Sequence, residues 1–96
     1  MASTTPPVPA RKNRIEAALL AELSPSHLSV IDDSERHRGH GGWREGGETH
    51  FAVEVVSAAF EGKSRLARQR LVMDALKAEF DTGLHALSVT ARAPGE

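Results

Sequence analysis

The sequence predicts a small α+β domain of order α-β-β-α-β, with a mixed three-stranded sheet and its helices packed on one face. Three observations point there. Residues 11–23 and 65–80 carry apolar side chains at three- and four-residue spacing, the period of a helix with one buried side. Residues 27–32, 49–57 and 84–91 are short and alternate apolar with polar positions, the period of a strand. The first two strands follow one another directly, which suits an antiparallel pair. A helix separates the second from the third, which suits a parallel crossover.

Each element has its own local signals. Residues 1–10, MASTTPPVPA, hold three prolines and nothing to bury, and read as a disordered tail before a single domain at 11–93. In the first helix Ile15, Leu19, Leu20 and Leu23 form the apolar stripe. Ser24-Pro25 ends it, because proline lacks the N–H that a continuing helix needs. In the first strand Leu28 and Val30 alternate with Ser29. In the second, Phe51, Val53 and Val55 share one face while His50, Ala52 and Glu54 share the other. Ser64 is placed to cap the second helix, whose expected buried stripe is Leu66, Met73, Leu76 and Phe80. Asp81-Thr82-Gly83 closes that helix, Leu87 and Val89 face inward from the last strand, and residues 94–96 form a short tail.

Composition limits what such a domain can do. It has 96 residues, no cysteine, 4% aromatic residues and a formal net charge of −1. The core must therefore be mostly Ala, Leu and Val. Disulfides, thiolate nucleophiles and any self-contained cysteine metal site are excluded. Overall charge supports neither nucleic-acid nor membrane affinity, so only a local patch could. No apolar run approaches the ~18 residues of a membrane span and no secretory leader is visible, so a cytoplasmic chain is expected. No nucleophile–base pair or carboxylate pair stands out, and an enzyme is not expected.

The chemistry concentrates between the first two strands. Residues 33–51, DSERHRGHGGWREGGETHF, hold His37, His40 and His50, three of the five histidines, and five of the eight glycines. Loops of this length without structure of their own are usually functional or disordered. Histidine is the commonest metal-ligating side chain. A glycine-rich, histidine-bearing loop in a thiol-free chain suggests imidazoles offered to a metal centre held partly by something else. Read as an isolated residue, each of these histidines is more simply a solvated or hydrogen-bonded side chain. His50, at the start of the second strand, reads as structural, and His27 as exposed.

Several short motifs in register then narrow the field. Asp32-Asp33-Ser34, His37, Gly47-Glu48-Thr49-His50-Phe51, Val55-Val56-Ser57, Phe60-Glu61-Gly62-Lys63-Ser64-Arg65, Arg68-x-Arg70 and His85-Ala86-Leu87 resemble the BolA family in order and spacing, over roughly residues 14–94. The resemblance implies a class II KH-like fold and partnership with a monothiol glutaredoxin. It also implies a 2Fe–2S cluster bound between the two proteins, with none in the isolated chain. In that family the histidine of the last strand and a His or Cys of the loop are the ligands. By position these are His85 and, most simply, His37, with His40 as the alternative. Two imidazoles cannot anchor a cluster alone, and the resemblance implies that a glutaredoxin cysteine and a glutathione supply the thiolates. Such a mixed set raises the reduction potential and makes ligation depend on pH, since histidine binds only when neutral. Gln69 departs from the pattern, standing where the family usually has a third histidine between the two arginines.

Lys63, Arg65, Arg68 and Arg70 place four cations at the start of the second helix, where they oppose its dipole. They suggest an anionic partner: glutathione, an acidic glutaredoxin surface, or DNA phosphate. The plain alternative is a solvated basic face. A DNA-binding regulator that uses this helix start is therefore the second functional reading. Gly62-Lys63-Ser64 imitates the end of a P-loop, but Ser57 stands where that motif needs its first glycine, so nucleotide hydrolysis is rejected. No GXXG loop of a nucleic-acid-binding KH domain occurs between the helices, and Trp43 alone does not decide for base stacking. The isolated chain is expected to be a monomer or a weak homodimer.

Overall fold

A computed structural model describes residues 10–33 and 49–96. Among them the order is α1 (Arg11–Leu23), β1 (His27–Asp32), β2 (His50–Val56), a single 3-10 turn (Ala58–Phe60), α2 (Arg65–Ala75), α3 (Lys77–Asp81) and β3 (Ala86–Arg92). The sheet runs β1-β2-β3, with β1 antiparallel and β3 parallel to the central β2, as the α+β reading expects.

Side-chain alternation fixes which face is covered. Three cross-strand rows point toward the helices: Asp32–Phe51–Leu87, Val30–Val53–Val89 and Leu28–Val55–Ala91. Phe51, Val53 and Val55 of the central strand are buried, because β2 is flanked on both sides. The opposite face carries Ser29, Ile31, Ala52, Glu54, Ser88 and Thr90 and is left half open. On it His27 and Arg92 both pair with Glu54, at 3.0 and 3.3 Å. These exposed pairs each contribute less than about 1 kcal/mol.

The helices start and stop where local chemistry directs. Ser24 takes the left-handed conformation (φ 43°), its N–H bonds to Leu20 O at 3.2 Å, and Pro25 forbids a further turn. Ser64 is extended and its hydroxyl accepts from Ala67 N–H at 3.1 Å, the expected cap of α2. Ser57, just past β2, donates to Leu23 O and accepts from Ala59 N–H, tying the end of α1 to the sheet.

Three details differ from the sequence expectation. The second helix is not continuous to residue 80: it breaks at Leu76 (φ −106°, ψ 13°), and a separate turn of helix, α3, follows. The break re-aims Glu79 at the start of α1, where Arg11 and Arg14 hold it. The buried stripe of α2 is centred on Val72 and Leu76, while Leu66 is 57% exposed. At about 100° per residue, Leu66 lies some 120° round the helix from Val72. Leu20 is likewise exposed, one step outside the stripe Ile15–Leu19–Leu23. Finally, β3 begins at Ala86, so Leu84 and His85 belong to its approach rather than to the strand.

Candidate functional site

His85 is placed by two backbone bonds. Its own N–H and that of Ala86 both donate to Thr49 O, at 2.8 and 3.1 Å, which pins the entrance of β3 to the entrance of β2. The parallel register puts Ala86 opposite His50. The two imidazoles consequently meet, with ring centroids 5.3 Å apart and planes tilted by 52°. His50 is buried (4% exposed), and its Nδ1 lies 2.9 Å from Thr49 Oγ1. His85 is exposed. Solvent, a metal centre or a partner therefore reaches His85, while His50 backs it. Two imidazoles on one tetrahedral ion at bond lengths of about 2.0–2.1 Å would also stand roughly 5 Å apart between centres. The spacing is thus compatible with convergence as well as support.

Asp33 N–H donates to His50 O at 2.7 Å, so the chain leaves β1 beside this pair and re-enters the described structure at Thr49, also beside it. His37 and His40, with Trp43 and the loop glycines, fall on 34–48, outside the described residues. Both ends of that segment are therefore anchored at the His50–His85 end of the sheet. The expectation that His50 is structural fits its burial, but its contact with His85 was not foreseen. That contact arises from the β2–β3 register, which no local pattern encodes. His27, read as exposed, is exposed and pairs with Glu54.

The four cations of α2 do not form one patch. Arg68 is largely consumed internally. Its Nε donates to Lys63 O (3.0 Å) and its Nη1 to Ala91 O (3.4 Å), while Nη1 and Nη2 grip the two oxygens of Glu96 at 2.5 and 2.7 Å. The hydrogen bond from Arg68, followed by that from Ala93 N–H, pulls the Glu96 carboxyl down to about 2, and the same contact raises Arg68. Lys63, Arg65 and Arg68 line a cleft of about 390 Å³ with Gln69 and Val89, Thr90 and Ala91 of β3. Arg70 lies on another side of the helix, in a hollow of about 250 Å³ with Leu66, Leu71 and Asp74, and Lys63 borders both this hollow and the cleft. Arg65 and Arg70 are some 140° apart around α2, which explains the division. Glu96 as the partner of Arg68 was not foreseen either, since 28 residues separate the two.

Among the described residues no group of three or more His, Cys, Asp or Glu side chains could hold a metal ion alone. With no cysteine anywhere in the chain, nitrogen is what this surface offers a soft metal centre. Nor is any described helix long and apolar enough to cross a membrane.

Comparison with known proteins agrees with this fold. Residues 19–96 match the BolA-like protein family. The chain is 49% identical over 83 residues to a Sinorhizobium sp protein designated "Uncharacterized protein in cobS 5'region", covering 85% of this chain and 89% of that one. It is 46% identical over 88 residues to the chloroplastic protein BOLA1 of Arabidopsis thaliana, covering 90% of this chain but 55% of the plant protein. Among solved structures, the BolA domain of SufE1 from Arabidopsis thaliana superposes with a TM-score of 0.81 at 46% identity, covering 91% of this chain and 95% of that one.

Proposed function

The chain belongs to the BolA-like family, and from that premise we propose that it is a non-enzymatic adaptor that joins a monothiol glutaredoxin and co-ligates a 2Fe–2S cluster through histidine, in iron–sulfur trafficking or in iron or redox sensing. The observation that carries the reading is His85: exposed, held by its backbone at the mouth of the sheet, and backed by a buried imidazole at 5.3 Å. His85 supplies one nitrogen, and His37 supplies the other, with His40 as the alternative. His37 is four residues past Asp33, so it is tethered within about 14 Å of that anchor. When bound, the cluster supplies one-electron redox chemistry at a potential raised by its nitrogen ligands. This chain's part is to present neutral imidazoles and to shield the centre, while the thiolate ligands come from the glutaredoxin and its glutathione. The isolated chain should then carry no cluster. A cytoplasmic site of action belongs to the same proposal, although a relative of this chain is named as chloroplastic.

The DNA-binding reading is weaker. A phosphate track needs its cations on one face, whereas Arg70 lies some 140° round α2 from Arg65.

Co-expression with a monothiol glutaredoxin, followed by visible absorption spectroscopy of the purified complex, tests the proposal. His85→Ala should change the cluster bands, and one of His37→Ala and His40→Ala should do the same. If all three variants reproduce the parent spectrum at equal iron content, histidine ligation is wrong. If no coloured complex forms at all, the partnership is wrong.

A further inference from the structure

We propose that the cleft between the start of α2 and β3 is a carboxylate-binding site for an acidic peptide segment of a partner protein, and that Glu96 fills part of it in cis. The site's chemistry is already on display. Arg68 is a preset fork: bonds from Nε to Lys63 O and from Nη1 to Ala91 O fix its plane, and its side chain is only 13% exposed. The edge that remains, Nη1 and Nη2, takes both oxygens of one carboxylate, a geometry in which arginine is selective for planar anions. Glu96 is 45% exposed at its side chain and lies in the last turn of the chain, where Gly95 adopts φ +87° and Glu96 N–H returns to Ala93 O at 3.2 Å. Besides Arg68, only Ala93 N–H among the described residues reaches its carboxylate, at 3.2 Å, and an incoming carboxylate can displace it.

Charge and space argue that one carboxylate does not complete the site. Lys63 and Arg65 line the same cleft, are exposed, and have no ion-pair partner among the described residues. Arg65 opens the first turn of α2 and Lys63 stands just before its cap, where the helix dipole disfavours positive charge, so folding does not account for them. The cleft encloses about 390 Å³ and is bounded by Gln69 of α2 and by Val89, Thr90 and Ala91 of β3. Three cations facing one carboxylate leave room for a second acidic side chain and the short peptide that bears it. Among the described residues β3 is the terminal strand of the sheet, so an extended peptide can lie along its outer edge. The cleft sits at Val89–Ala91, several residues along β3 from His85. Its occupancy can therefore be measured on the isolated chain, without a cluster or a glutaredoxin.

The test is fluorescence anisotropy of the full chain with a fluorescein-labelled octapeptide alternating Glu and Val, at low and at physiological salt. A single-stranded oligothymidine of equal charge is the comparison. Glu96→Ala should bind the peptide about two- to fivefold more tightly, since an exposed ion pair of this kind holds back no more than that. Lys63→Ala/Arg65→Ala should weaken it about fivefold or more, with an unchanged thermal midpoint showing that the fold survives. Unaltered or weaker binding by Glu96→Ala overturns the cis competition. Equal or tighter binding of the oligonucleotide overturns the carboxylate assignment and makes this a generic basic face.

Discussion

Arg11 lies four residues before Ile15, on the same stripe of α1 as the core residues Ile15, Leu19 and Leu23, and is itself only 6% exposed. Its Nη1 donates to Glu79 Oε1 at 2.8 Å and to Thr82 Oγ1 at 3.0 Å, while Arg14 reaches the same carboxylate from a more open position. The i−4 spacing signalled this burial in the sequence, but a charge at that place reads as the solvated start of a helix until its partner is known. Removing one member of a buried pair leaves the other uncompensated. Glu79→Ala should therefore cost about 3 kcal/mol, seen as a fall in the urea midpoint at constant slope. Joint replacement of Arg11 and Glu79 by Met and Leu should cost much less. At the other end of the chain Glu96 gives a pH signature. Its folded value, about 2, lies below its unfolded value, so its grip on Arg68 is fully present above the ordinary carboxylate range and is lost as pH falls through about 2. An NMR titration of the Glu96 carboxyl should show that midpoint, and Arg68→Ala should move it up toward the ordinary range near 4.3. A midpoint near 4 in the parent chain would mean the contact does not persist in solution.

At the scale of elements, the strands and their order were legible because a two-residue alternation states which face is buried, and because a helix between two strands implies a crossover. The break in the second helix was not legible. It occurs at Leu76 with neither proline nor glycine, and its consequence, Glu79 turned toward Arg11, is tertiary. The helix stripe was misphased for a related reason. Leu66 and Met73 share a face seven residues apart, but the sheet meets α2 along Val72 and Leu76, and apolar content alone cannot choose between adjacent stripes. Thermal or chemical denaturation separates the two phasings. Val72→Ala opens a cavity at a fully buried position and should cost roughly 2 kcal/mol. Leu66→Ala, at a 57% exposed position, should stay within about 0.5 kcal/mol. The reverse ranking would mean that α2 is rotated about its axis from the arrangement described.

For the whole molecule, β3 joins everything that bears chemistry. Its entrance carries His85 against His50, its far half walls the basic cleft, and its register on β2 decides both. This is why the candidate site was only half legible: His85 was identified by motif, whereas the His50 contact and the Arg68–Glu96 grip depend on which strands neighbour each other. The proposal of histidine ligation needs His85 accessible, which it is, and a second imidazole from His37 or His40, which lie outside the described residues. The two histidines should then separate by experiment. His85→Ala removes an exposed side chain and should shift the stability of the isolated chain by less than about 0.5 kcal/mol. His50→Ala removes a buried ring with a hydroxyl partner and should cost about 1–3 kcal/mol. In a reconstituted complex the order should invert, with His85→Ala altering the cluster spectrum and His50→Ala leaving the bands in place at a temperature where the variant is folded. Equal spectral change from both would promote His50 from support to ligand, which a ring separation of 5.3 Å permits. His85 and His50 would then fill both nitrogen positions, and neither His37→Ala nor His40→Ala should change the spectrum.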